Sequence, residues 1–138
     1  MFTVLLATYN GSEWIRDALS HIQAQSFPYF ECLILDNAST DNTRMIVEDF
    51  IEFDNRFHYH YLPVANKANA LNYGITIAKN DWLAICDVDD LWDQEKLAKQ
   101  KDFILENPGV DFVGSRFQYF GYGDAVEKKT PLLPTEHD

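Results

Sequence analysis

The sequence predicts an α/β fold, a mostly parallel sheet with helices packed on both of its faces. Three observations carry this. Short apolar runs (Phe2 to Ala7, Glu31 to Leu35, Trp82 to Cys86) alternate with segments of helical period. Those runs are apolar almost throughout, as parallel strands covered on both faces are. Polar residues gather directly after them, at the carboxyl edge where open α/β sheets hold their ligands.

Phe2 to Ala7 reads as the first strand, and Thr8-Tyr9-Asn10-Gly11 as a turn. Asn10 followed by Glu13 resembles a capping box, opening a helix with Trp14, Ile15, Ala18, Leu19 and Ile22 at helical spacing; Phe27-Pro28 stops it. The second strand ends at Asp36, and Asn37 to Asn42 is a loop of turn formers. Met45, Ile46, Phe50 and Phe53 mark the apolar face of a second helix. Phe57 to Tyr61 alternates as a third strand, with His58 and His60 on one strand face and not metal ligands. Lys67 to Lys79 reads as a helix, Trp82 to Cys86 as a fourth strand, and Glu95 to Leu105 as a last helix. Asp111 to Phe120 holds one or two further strands. The expected organisation is one domain over 1–120. An irregular tail, 121–138, leads toward an acceptor-side segment outside this sequence.

Composition narrows the partners. At 138 residues, 46% apolar and 14% aromatic, the chain can bury a core. It carries 22 acidic against 11 basic residues, a formal charge of −11. Nucleic acid and anionic lipid are therefore poor direct partners. A phosphate-bearing ligand needs a metal ion or local backbone dipoles here. Cys32 and Cys86 read as buried thiols in a reducing compartment. Without a secretion signal or an apolar run near ~20 residues, the expected location is the cytoplasm, with no transmembrane segment. No Gly-x-Gly-x-x-Gly, Gly-Lys-Ser/Thr or Gly-x-Ser-x-Gly occurs, so dinucleotide, P-loop and common hydrolase chemistries lack support.

Asp87-Val88-Asp89-Asp90 follows the fourth strand directly. Residues two apart in extended chain point the same way, so Asp87 and Asp89 can present carboxylates to one hard cation. Mg²⁺ commonly takes one or two carboxylates plus substrate phosphates. Read alone, the cluster fits a solvated acidic turn at least as well. A calcium loop fails, because the positions needing Gly and Glu hold Trp92 and Ala98. Lys67 opens a helix, where its charge opposes the helix dipole; a bound anion there reverses that cost, and an ordinary exposed lysine is the competing reading.

Five segments in order resemble the inverting family 2 glycosyltransferases. They are Val4 to Asn10 with its Thr-Tyr-Asn turn, Ala24-Gln25-Ser26-Phe27, Leu35-Asp36-Asn37-Ala38-Ser39-Thr40-Asp41, Lys67 to Ile75, and Asp87-Val88-Asp89-Asp90-Leu91-Trp92. The resemblance covers Phe2 to about Leu97 and weakens toward Phe120. It implies the GT-A fold, incomplete at the carboxyl end, and transfer of a sugar from a nucleoside-diphosphate sugar of uridine or thymidine type. The acceptor would be a glycan or lipid-linked hydroxyl in surface polysaccharide or lipopolysaccharide synthesis. The cofactor would be Mg²⁺ or Mn²⁺, and the full-length protein could sit at the inner membrane face. By the same resemblance Thr8 and Tyr9 line the base and ribose pocket, Asn10 belongs to the nucleotide-sugar site, Asp36 and Asn37 sit by the base, and Lys67 faces the nucleotide or its diphosphate. Asp87 and Val88 belong to the donor pocket, and Asp89 with Asp87 holds the metal. The family's second position in the Asp-Asp loop often accepts the pyrimidine N3–H; Asn37 can still accept there through its carbonyl, without charge. The family's catalytic base lies in the second half of the domain, and no carboxylate here matches it. A non-catalytic nucleotide-binding or assembly module of the same fold is the competing class. A nucleotidyltransferase ranks below both, lacking a Gly-rich basic N-terminal loop.

Overall fold

The computed structural model describes residues 1–117. Four strands, β1 (Phe2–Thr8), β2 (Phe30–Asn37), β3 (Phe57–Leu62) and β4 (Trp82–Asp87), alternate with α1 (Ile15–Gln23), α2 (Thr43–Ile51), α3 (Lys67–Ile77) and α4 (Lys96–Glu106). All strand pairs are parallel, in the order β3-β2-β1-β4.

Every residue of β1 and of β2 is buried, which explains their unbroken apolar runs. Strand side chains alternate between faces, and the core divides accordingly. Val4 and Leu6 of β1 meet Cys32 and Ile34, the α1 residues Ile15, Ala18, Leu19 and Ile22, Val47 of α2 and Leu97 of α4. Leu5 meets Leu33, Leu35 and Ala70 of α3 on the opposite face. Helices therefore cover both faces, as the apolar pattern predicts. Gly74 lets α3 approach the sheet: a Cβ there would lie 2.7 Å from Leu35 Cδ1 and 3.0 Å from Leu5 Cδ2. That contact accounts for the glycine inside an otherwise regular helix.

Two expectations change. α1 begins at Ile15 with Trp14 at its N-cap and no side-chain cap, so Asn10 and Glu13 form no capping box. Asn10 sits at φ 49°, a left-handed conformation that asparagine tolerates, and its side chain serves another loop. Residues 111–117 form no strand. They run beside α4 instead, where Ser115 Oγ accepts hydrogen bonds from Lys96 Nζ and Gln100 Nε2, each at 3.0 Å. The expected strand end at 118–120 and the tail 121–138 lie outside the described residues.

The topology fixes where a ligand can enter. From β1 the chain steps outward to β2 and β3, then returns past β1 to β4. The loops after β1 and β4 therefore diverge, leaving a crevice at their carboxyl ends.

Candidate functional site

A crevice of about 300 Å³ opens at that switch point, lined by Ala7, Thr8, Tyr9, Asn37, Lys67, Asp87, Val88 and Asp89. Three strand ends and the start of α3 supply these residues. Register sets the floor: Ala7 pairs with Asp87 across β1 and β4.

The loops that carry the site are stitched together by side chains acting on backbone. Asn10 N–H donates to Ser39 Oγ at 2.9 Å, and Thr40 N–H donates back to Asn10 Oδ1 at 2.8 Å. Gly11 N–H donates to Thr43 Oγ1, and Ser12 N–H to Asp41 Oδ2. A Cβ at Gly11 would collide with the Thr8 hydroxyl and with Val88, so a side chain there would disturb both walls of the crevice. Gln25, 5% exposed, holds the segment after the acidic turn: Leu97 N–H donates to its Oε1 at 3.0 Å and its Nε2 donates to Asp93 O at 2.8 Å. The Gln-Ser pair of the sequence pattern thereby positions the acidic loop from outside the site.

Of the nine predicted site residues, seven line the crevice and two lie behind it. Asp36 is fully buried; its Oδ1 accepts from Ser39 N–H at 2.8 Å and its Oδ2 from the Tyr59 hydroxyl at 2.6 Å. Both oxygens are thus engaged within the protein, and the expectation of a position directly at the base becomes one of holding the loop. Burial and the Asp36 carboxylate push the Tyr59 phenol well up, which keeps it a donor. Asn10 ties the loop after β1 to the loop after β2, also from outside the crevice. Sequence reasoning missed Tyr59 and Asn66. Nothing in an alternating strand marks Tyr59, whereas Asn66 directly before a helix is an N-cap signal.

Asn66 caps α3 by accepting from Asn69 N–H at 3.0 Å, while its own N–H donates to Asn37 Oδ1 at 2.6 Å. The Asn37 carbonyl is therefore already in use. Thr8 Oγ1, in a side chain 2% exposed, has no protein partner among the described residues.

Charge in the crevice is arranged in opposition. Lys67 Nζ lies 2.6 Å from Asp87 Oδ1, an exposed pair of little intrinsic stabilising value. The carboxylate supplies the anion that a lysine at a helix start calls for. Asp89 is exposed and makes no hydrogen bond or ion pair among the described residues. Next to it, burial and the charges of Asp87 and Asp89 hold the Asp90 carboxyl above its usual range. Negative charge is in excess here. No group of three or more His, Cys, Asp or Glu among the described residues converges on a cation. Two carboxylates with open space beside them suit a cation whose remaining ligands come from phosphates and water.

Two carboxylates, Asp41 in the loop after β2 and Asp54 before β3 at the opposite edge of the sheet, give the fold an acid sensitivity. At Asp41 burial raises the pKa, but hydrogen bonds from Thr43 and Ser12 outweigh it and bring the carboxyl to about 2. At Asp54 the Arg56 hydrogen bond dominates, again giving about 2. Folded values below the unfolded aspartate value of about 4 mean stability present above that pH and lost as pH falls through about 2. The urea midpoint should be flat near neutrality and drop between about pH 4 and pH 2. Asp90 contributes the opposite sign, so comparing wild type with Asp54→Asn isolates the effect; the variant should show the shallower acid slope.

The model of glycosyl transferase family 2 matches residues 3–136. The chain belongs to this family. TuaG of Bacillus subtilis (strain 168), named for teichuronic acid biosynthesis, is 32% identical over 133 residues, covering 96% of this chain and 50% of that protein. The poly-beta-1,6-N-acetyl-D-glucosamine synthase of Staphylococcus epidermidis is 38% identical over 110 residues, covering 79% of this chain and 26% of its own length. Among solved structures, TarS 1–349 of S. aureus in complex with UDP-GlcNAc superposes with TM-score 0.72 at 25% identity, covering 86% of this chain and 38% of that one. The mannosyltransferase PcManGT of Pyrobaculum calidifontis, in complex with GDP-Man and Mn2+, gives TM-score 0.73 at 30% identity, covering 79% of this chain and 33% of the other. The family 2 fold is thus the GT-A architecture, and the chain spans half or less of the length of these relatives. No helix among the described residues is long and apolar enough to cross a membrane.

Proposed function

We propose that the crevice binds a nucleoside-diphosphate sugar, of uridine or thymidine type, as the donor side of an inverting glycosyltransferase that builds surface polysaccharide. The observation that carries this is the meeting of Thr8, Tyr9, Asn37, Lys67, Asp87 and Asp89 at the β1/β4 switch point. The relatives support it: one solved neighbour holds UDP-GlcNAc and another GDP-Man with Mn2+.

In this reading Tyr9 and Asn37 border the base, with Thr8 in the crevice wall beside them. Lys67 leaves Asp87 for the diphosphate. Asp89 and Asp87 would hold Mg²⁺ or Mn²⁺, which when bound supplies charge neutralisation for the diphosphate leaving group. The acidic chain otherwise repels that group, so binding and cation go together. The domain unit is 1–120. The acceptor pocket and the carboxylate that deprotonates the acceptor belong to sequence outside it, and the working location is the cytoplasmic side of the membrane.

Titration calorimetry with UDP and dTDP, each with and without Mn²⁺, tests this. Binding that requires or is strongly enhanced by Mn²⁺ is expected; no binding in any arm overturns it. Binding without sugar release or transfer in the full-length protein would favour a non-catalytic module.

A further inference from the structure

We infer that Asn37 reads the nucleotide base as a hydrogen-bond donor, through its Nδ2 amide to a base carbonyl, and does not accept from an imino N–H. The inference rests on the crevice being the donor-nucleotide site.

The geometry of the carboxamide leaves little choice. Asn37 is 7% exposed and stands at the end of β2. Its Oδ1 accepts from the backbone N–H of Asn66 at 2.6 Å. That N–H is fixed, because Asn66 is the N-cap of α3 and its own side chain holds Asn69 N–H. Turning the amide over would set two N–H groups against each other at the part-buried contact and forfeit this short bond with nothing gained. The orientation is therefore determined by the network.

The other end of the amide is free. Nδ2 has no partner among the described residues, and it is not one of the sealed, unpartnered atoms, which are Thr8 Oγ1 and Glu31 Oε2. The side chain borders the crevice beside Thr8, Tyr9, Lys67 and Asp87. A buried residue thus offers the crevice an NH₂ group, two donors and no acceptor. Uracil and thymine present a ring N3–H between two carbonyls. A donor at Asn37 is matched to either carbonyl and mismatched to the N3–H. An aspartate in this place would keep one oxygen on Asn66 N–H and turn the other, an acceptor, toward the base. Asn and Asp at this position therefore read opposite features of the same edge.

Calorimetry with UDP, 2-thio-UDP and 4-thio-UDP on wild type and on Asn37→Asp tests the polarity, with inorganic pyrophosphate as the baseless control and Mn²⁺ throughout. The expected result is roughly ten-fold weaker UDP binding by N37D, the worth of one hydrogen bond to a polar partner, with pyrophosphate affected less. Wild type should lose a similar factor for one of the two thio analogues, since a thiocarbonyl accepts poorly. The ligand series decides alone should N37D fail to fold. Equal or tighter UDP binding by folded N37D, a loss shared equally by pyrophosphate, or thio analogues that both bind like UDP would overturn the inference. If wild type binds no UDP at all, it is the donor-site reading that falls.

Discussion

Asp89→Ala removes the cation-dependent part of nucleotide binding and leaves the fold intact. Asp89 is exposed and has no hydrogen bond or ion pair among the described residues, so nothing in the folded chain depends on its carboxylate. Surface substitutions of that kind change stability by about 0.5 kcal/mol or less. The same carboxylate lines the crevice and is free to take a cation, whereas Asp87 is shared with Lys67. Loss of a ligating carboxylate should weaken Mn²⁺-dependent UDP binding by roughly 100-fold, at the upper end of what even supporting residues cost a metal site. The measurement pairs a thermal melt with titration of UDP at saturating Mn²⁺. An unchanged melt with lost binding is expected. Retained Mn²⁺ enhancement would remove Asp89 from the metal's ligands.

Asp36→Ala produces the reverse pattern, a large loss of stability with nucleotide binding lost as a consequence. Its carboxylate is fully buried and accepts from both Ser39 N–H and Tyr59 OH. Truncation leaves both donors unpaired behind the sheet edge, each costing about 1–3 kcal/mol. A loss of about 3 kcal/mol in urea unfolding is expected, large for a single substitution. Asp36→Asn should recover part of it, since one acceptor remains for Ser39 or Tyr59. The loop it holds contains Ala38 at φ 65°, a conformation that costs a non-glycine residue about 1–2 kcal/mol. Such a loop keeps its shape only while its surroundings enforce it.

These two aspartates show what could and could not be read from the sequence. The place of Asp89 on the crevice was legible because its signal is local: an acidic residue two places after another, at the end of an apolar strand. The strands and helices were legible for the same reason, since parallel strands buried on both faces leave unbroken apolar runs. Asp36 carried the same type of signal, a carboxylate after a strand, yet it points inward to Tyr59, 23 residues away in the chain. Direction at a strand end depends on one residue of register, which composition does not encode. The Asn37 amide is a similar case. Its polarity is set by Asn66, 29 residues later, through the cap of a helix. Residues 111–117 have the apolar content of a strand, but α4 gives their Ser115 its partners and no ladder forms.

The central claim is that a nucleoside diphosphate binds between the carboxyl ends of β1 and β4. Amide chemical-shift mapping of the labelled chain during titration with UDP and Mg²⁺ tests it most directly. Shifts concentrated at Thr8, Tyr9, Asn37, Lys67 and Asp87 to Asp89 are predicted, with Asn66 following through its bond to Asn37. Shifts confined to the apolar side of β4, at Leu83, Ile85 and Phe112, or none at saturating ligand, would contradict it.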